Sequence, residues 1–193
     1  MSEPKVPHGR RYKRGYLPHF DAPGFVQLVT FRLNGSLPRS IFDLIKFKFE
    51  TKQINEIEYY RKIEKALDAG SGPTHLIVPK VAEVVAQTIV KFAGERYELI
   101  AWVVMPNHVH ILFRPFDEFE LSTIIHSIKS FTASRANKIL ALNGRFWSPD
   151  YFDRFVRDRR HFDAAIKYIE ENPVKAGLCS RPEDWKWSSV SWH

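Results

Sequence analysis

Tyr97-Glu98-Leu99-Ile100-Ala101-Trp102-Val103-Val104-Met105-Pro106-Asn107-His108-Val109-His110-Ile111-Leu112-Phe113 is a pair of apolar runs joined by two turn residues. The first run, Tyr97 to Met105, is nearly continuous in its hydrophobicity, which predicts a strand buried on both faces. Pro106-Asn107 makes a tight turn and His108 to Phe113 is the returning strand, so the stretch predicts a central antiparallel hairpin. Side chains alternate along a strand, so His108 and His110 share one face of the sheet, close to its rim.

Working outward, Phe25 to Phe31 is β-branched and aromatic and ends at Asn34-Gly35, which predicts a first strand. Ser40 is placed to cap a helix from Ile41 to about Ala69, with a break, and Gly70-Ser71-Gly72-Pro73 ends it. Lys46, Lys48, Lys52, Arg61, Lys62 and Lys65, set among glutamates, read as its solvated face. Val81 to Phe92 has helical apolar spacing. Leu121 to about Leu142 is a basic helix with Lys129, Arg135 and Lys138 expected at its surface, closed by Asn143-Gly144. Tyr151 to Val156 is the last strand, and a final helix begins near Asp158 and is expected to stop at Pro173. The order β-α-α-β-β-α-β-α predicts an α+β domain, with helices packed on a ferredoxin-like, mainly antiparallel sheet.

The chain has 193 residues, 44% of them hydrophobic, enough for one domain with a substantial core. We divide it into a basic N-terminal arm, 1–19, and a single domain, 20–193. One cysteine, Cys179, excludes an internal disulfide framework and fits a reducing compartment. No apolar run approaches the ~20 residues of a membrane span, and the N-terminus lacks the apolar core of a signal peptide. The expected location is cytoplasmic, with no membrane partner. A net charge of +7 raises the odds of a polyanionic partner. Arg10, Arg11, Lys13 and Arg14, interleaved with Tyr12 and Tyr16, read either as a solvated arm or as a clamp on nucleic acid.

Tyr168 and Asn172 lie four apart in the final helix and so share a face. Alone, Tyr168 reads as an amphipathic tyrosine on a buried helix and Asn172 as a helix cap before Pro173. Together with two imidazoles, however, a phenol and a side-chain amide can form a metal site beside a nucleophile. Zinc lacks support, since neither a cysteine pair nor His-Glu-x-x-His occurs. The other histidines, at 8, 19, 75, 126, 161 and 193, are scattered. Two imidazoles and an amide oxygen suit a harder ion, Mg²⁺ or Mn²⁺.

Tyr168-Ile169-Glu170-Glu171-Asn172-Pro173-Val174-Lys175-Ala176-Gly177-Leu178 resembles the signature of the REP-associated tyrosine transposases, members of the His-hydrophobe-His (HUH) single-strand nucleases. Ala101 to His110 is similar to that family's metal-binding hairpin, Asp184-Trp185-Lys186-Trp187-Ser188-Ser189 to its usual ending, and Phe146-Trp147 fits as well. The resemblance runs from about residue 20 to 190. Residues 46–80 are longer than in compact members, and the arm lies outside the shared pattern. The resemblance implies the HUH nuclease fold, with Tyr168 attacking a DNA phosphodiester to leave a 5′-phosphotyrosine and a 3′-hydroxyl. It implies a divalent metal on His108, His110 and Asn172, and a single-stranded or hairpin DNA substrate with REP-like palindromes. Arg10, Arg11, Lys13, Arg14, Lys129, Arg135, Lys138 and Lys175 are the candidates for DNA contacts. A monomer is the favoured state, with a homodimer as the alternative. The competing classes are a non-catalytic nucleic-acid binder on the same fold and, further off, a His-ligated metal hydrolase. No residue declares itself as general base.

Overall fold

The computed structural model describes residues 24–70 and 72–192 with their side chains, and residues 10–14 and 17–21 as backbone. Four strands build the main sheet: β3 (Gln27–Leu33), β4 (Tyr97–Val104), β5 (His108–Pro115) and β6 (Trp147–Phe155). Their order is β4-β5-β3-β6 and every neighbouring pair is antiparallel. Crossovers join β3 to β4 through α1 (Arg39–Glu50), α2 (Glu56–Asp68) and α3 (Pro79–Lys91), and β5 to β6 through α4 (Leu121–Leu140). Helix α5 (Arg159–Lys175) follows β6. This is the expected α+β, ferredoxin-like order, with helices on both faces of the sheet.

The sheet's alternation decides which helix goes where. Val29, Phe31, Leu33, Val109, Ile111 and Phe113 point to one face and meet the buried stripes of α3 (Val81, Val85, Ile89) and α4 (Ile124, Ile125, Ile128). Leu28, Val103 and Leu112 point to the other face and meet Ala165 and Ile169 of α5. A third cluster, formed by Leu37, Ile45, Tyr59, Ile63 and Leu67, fastens α1 and α2 to Phe152 of β6. Because Thr30 pairs with both His110 and Phe152, the α1-α2 unit covers the histidine face, beside α5.

Several sequence expectations need correction. Part of the supposed solvated arm is a hairpin: β1 (Arg10–Arg14) pairs antiparallel with β2 (Leu17–Asp21), which lies close to β6. Arg10, Arg11, Lys13 and Arg14 belong to β1, and their side chains fall outside the described residues. Ser40 does not cap α1, which starts after Pro38 without a side-chain cap; the cap is at α2, where Asn55 and Glu58 form a reciprocal box. Burial on both faces holds in β4 for Ala101–Val104, whereas Glu98 is exposed. Helix α4 ends at Ala141, in the left-handed region, ahead of Asn143-Gly144. Helix α5 runs through Pro173 to Lys175: the proline forfeits one backbone donor, and burial of Ile169, Asn172 and Pro173 outweighs that loss.

The loop after α2 is held at Gly72, whose φ is +85° and whose position faces the Gly35 carbonyl so closely that a Cβ there would collide with it. Gly72→Ala is expected to destabilise the fold by about 1–3 kcal/mol through backbone strain and that collision. Chemical denaturation checks it, and an unchanged midpoint would refute it.

Candidate active site

The turn that opens β5 is the anchor of the site. The Asn107 carbonyl accepts from Leu33 N–H (2.8 Å), and the Pro106 carbonyl accepts from Leu76 N–H (3.1 Å). The Asn107 side chain donates through Nδ2 to the Leu67 carbonyl (2.9 Å), where α2 ends. Its Oδ1 faces His108 Nδ1 at 2.6 Å. An amide oxygen can only accept, so His108 carries its proton on Nδ1 and points the Nε2 lone pair inward. His110 meets Thr30 Oγ1 through Nδ1 at 2.7 Å.

The two Nε2 atoms stand 3.0 Å apart, in side chains that are 1% and 0% exposed. Burial holds His108 far below the ordinary histidine range, to about 3. Burial also holds His110 well below the ordinary histidine range, helped by His108 and Arg154. Both imidazoles are therefore neutral near pH 7. Asp68 Oδ1 lies 3.7 Å from His108 Nε2, so this contact is not an ion pair.

Helix α5 brings the other two groups. Asn172 continues the buried stripe of Ala165 and Ile169, which turns its amide towards the sheet. Asn172 Nδ2 and the Tyr168 hydroxyl each lie 3.3 Å from His110 Nε2. Asn172 Oδ1 is buried with no hydrogen-bond partner. A half-turn of the amide would exchange its two ends and present this oxygen to the histidines. Among the described residues no three of His, Cys, Asp and Glu form a ligand cluster, so any third protein donor here is an amide. Two inward nitrogens and an orphaned buried oxygen are a donor set that fits a divalent cation.

Burial raises the Tyr168 phenol well above its usual range, and Glu64 and Asp68 add to that. Glu64 is hydrogen-bonded to Tyr168; burial raises it to about 7, against the opposing pull of Arg154, whose Nη2 is 4.0 Å away. Asp68, whose side chain keeps 30% of its surface exposed, is raised by partial burial to about 6 against the opposing pull of Lys175. Sequence reasoning missed these acids, along with Asn107, Thr30 and Arg154. Tyr60, Glu64 and Asp68 recur every four residues along one ridge of α2, but among so many surface charges that spacing looked like solvated helix.

The proposed cation set divides. Lys175 is near the site, with Nζ 5.8 Å from the Tyr168 ring centroid and 3.0 Å from Glu171. Lys129, Arg135 and Lys138 belong to α4, on the opposite side of the sheet from the histidines. Arg135 and Lys138 are exposed as expected. Lys129 is not: it is half-buried, donates to the Pro149 carbonyl at 2.9 Å, and burial lowers it to about 8. Tyr151 is buried against the core of that same far side.

Among relatives, the chain is 28% identical over 110 residues to an Escherichia coli (strain K12) protein named REP-associated tyrosine transposase, across 55% of this chain and 63% of that one. A relative from Haemophilus influenzae is 25% identical over 103 residues, across 48% of this chain and 58% of its own. The chain thus spans about three fifths of the length of these curated relatives. In structure it is similar to a REP-associated tyrosine transposase bound to a REP hairpin, with a TM-score of 0.53 and 21% identity, over 98% of this chain and 82% of that one. That likeness supports the shared fold. The family model described as "Transposase IS200 like" matches residues 74–172, just over half of the chain and a span that holds His108, His110, Tyr168 and Asn172. On that match the chain belongs to the IS200-like transposase family.

Proposed function

We propose that the protein is a single-strand DNA endonuclease and strand transferase that uses Tyr168 as its nucleophile at REP-type hairpins. The observation that carries the reading is the Tyr168 hydroxyl, 3.3 Å from His110 Nε2, beside a second inward imidazole and the unpartnered amide oxygen of Asn172. A binder without catalysis needs none of these groups. The names of the relatives support the substrate class.

In this reading Tyr168 Oη attacks phosphorus, the P–O3′ bond breaks, and a 5′-phosphotyrosine and a 3′-hydroxyl result. The new ester keeps the phosphodiester's energy, so the 3′-hydroxyl can reverse the step without a nucleotide cofactor. The phenol is protonated at neutral pH and must lose its proton as it attacks. Glu64 is placed to take that proton, and with a pKa near 7 it can hold or release it at working pH. The proton then balances the leaving 3′-oxygen. His108, His110 and Asn172 would hold Mg²⁺ or Mn²⁺, which when bound draws charge from the oxygens of the scissile phosphate. Asn107 and Thr30 fix the two rings in the orientation this needs. Every group comes from one chain, so we propose that a monomer acts, on DNA in the cytoplasm.

Tyr168→Phe removes only the hydroxyl and is expected to abolish covalent capture of a labelled hairpin with a single-stranded flank, while binding persists. A denaturing gel checks this, and an adduct on the variant would transfer the role to another residue. Asn172→Ala is expected to raise the Mg²⁺ concentration needed for half-maximal cleavage by roughly 10–100-fold; an unchanged metal titration would remove it from the ligand set.

The histidine pair also sets a pH response. In chelator-treated protein both rings are neutral when folded, whereas unfolded histidines titrate near 6.5. The unfolded state therefore binds more protons below that value, and stability falls as pH drops from about 6.5 towards 3. Each ring contributes up to about 1.4 kcal/mol per pH unit. Replacing both with Gln is expected to flatten that part of the curve of unfolding free energy against pH, and an identical slope in the variant would contradict the assignment.

A further inference from the structure

Arg32 is the cross-strand partner of His108 in the β3-β5 ladder. Directly opposed residues of an antiparallel pair point to the same face, so its side chain leaves the sheet beside the His108 imidazole. On its other flank the ladder is irregular. Phe31 pairs with Tyr151 and Leu33 with Trp147, so Arg32 alone is opposed by three residues of β6: Ser148, Pro149 and Asp150. A bulge of this kind re-aims side chains at the rim of a sheet.

Three cations gather at this bulge. Lys129 comes from α4 to donate to the Pro149 carbonyl at 2.9 Å, and Arg32, Arg145 and Asp150 are its charged neighbours. Three cations and one carboxylate leave a net charge of +2. Among the described residues none of the three makes an ion pair, and the half-buried Arg32 guanidinium has no hydrogen-bond acceptor. Near it the buried Tyr59 hydroxyl also lacks a partner. Glu50, the other carboxylate near Tyr59, is paired with Lys46 at 3.6 Å. This end of β3 thus holds donors without acceptors. A half-buried charge left in that state costs stability, and a fold keeps it where a ligand supplies the acceptor.

The ligand must be an anion, and the place of the cluster says which. Attacking and leaving oxygens stand on opposite sides of phosphorus in a phosphoryl transfer. Tyr168 is carried by α5, which packs against β4 and β5. Arg32 lies on the other side of His108, towards β6. We propose that Arg32, supported by the field of Lys129 and Arg145, binds a backbone phosphate of the strand that leaves with the 3′-hydroxyl, and so keeps that strand in place for rejoining. A guanidinium suits the task because its paired donors match phosphate oxygens. The proposal rests on Tyr168 forming the 5′-phosphotyrosine, since that chemistry decides which side of the cut leaves.

The test uses the full chain carrying Tyr168→Phe, in chelator, so that the DNA stays whole. Labelled hairpins with a single-stranded flank carry one neutral methylphosphonate at each linkage in turn, and fluorescence anisotropy reads affinity. One linkage on the 5′ side of the cut is expected to cost about tenfold, the scale of a charge-assisted hydrogen bond, and to cost nothing further once Arg32→Gln is added. Arg32→Gln should also lower the slope of log affinity against log salt by about 0.7. Its unfolding midpoint should hold or rise, because no protein acceptor loses its donor. Arg145→Gln, at an exposed position, should show the same linkage dependence more weakly. A lowered midpoint with affinity lost evenly at every linkage would make Arg32 structural and overturn the proposal. So would a dependence confined to the 3′ side of the cut, or none at all. Inorganic phosphate supplies a second arm: if it raises the midpoint of the wild type and not of Arg32→Gln while no linkage depends on Arg32, the site takes free phosphate and the strand assignment falls. Covalent capture persisting in Tyr168→Phe would refute the nucleophile yet leave an Arg32-dependent linkage standing, so the two failures are distinct.

Discussion

Two neutral imidazoles cannot turn bare lone pairs on each other at 3.0 Å inside a protein. Asn107 forces the Nε2 lone pair of His108 inward, so His110 must answer with a proton on its own Nε2, or a cation must stand where both can reach it. The rest of the structure makes this dilemma sharp. Both rings are fully buried, which removes the option of protonating the pair at neutral pH. Thr30 and Asn107 hold the rings so that neither can swing aside. A cation bound there would take the place of that proton, and the buried amide oxygen of Asn172, which has no hydrogen-bond partner, would be a third donor to it once the amide is turned.

That arrangement needs the sheet and both helical layers at once. His108 and His110 face α5 only because β5 is central and its alternate residues Val109 and Ile111 are claimed by the core under α3 and α4. A register slip of one residue would exchange the two sets and bury the histidines in that apolar core. The pairing of Thr30 with His110 is thus both a ladder position and a hydrogen-bonding partnership. On the opposite wall, α2 ends where Asn107 can hold the Leu67 carbonyl, so the same amide closes a helix and orients an imidazole. Helix α2 then places Glu64 and Asp68 beside a phenol that they help keep protonated.

The histidine face was legible in the sequence because period-2 alternation is local, and the Tyr168–Asn172 face because helical spacing is local. The hairpin followed from its short connection, and the α+β, ferredoxin-like class from the order of elements along the chain. What remained hidden depends on contacts distant in sequence. Glu64 and Asp68 are set apart from the exposed Arg61, Lys62 and Lys65 only by what their ridge of α2 packs against, some forty residues of sequence away from the turn they approach. Helix α5 passes Pro173 because tertiary burial overrides a local backbone preference. Lys129 was read as a surface cation, but its side chain folds back onto the Pro149 carbonyl in β6, a contact between separate elements that periodicity cannot locate. The β1-β2 hairpin was concealed by composition, since a basic, aromatic, turn-rich stretch looks the same whether it is paired or not.

The edges of the sheet bear on how many chains the site requires. Strand β4 is an outer strand, and its free side is taken by the chain's own C-terminal segment: Val104 N–H donates to the Trp187 carbonyl at 2.8 Å and Ser189 N–H to the Trp102 carbonyl at 2.9 Å. Trp185 adds its indole N–H to the Val104 carbonyl at 3.0 Å, and Trp187 and Trp192 pack into the core behind it. Over Trp102–Val104 the edge is thus paired within the chain and offers no ladder to a second copy. At the opposite end, β2 lies alongside β6. Tyr168 meanwhile reaches the histidines of its own chain across a short helix-to-sheet gap. Among the described residues the candidate site is assembled from β3, β5, α2 and α5 of a single chain, so the packing that fixes the sheet also fixes the distance between the phenol and the imidazoles.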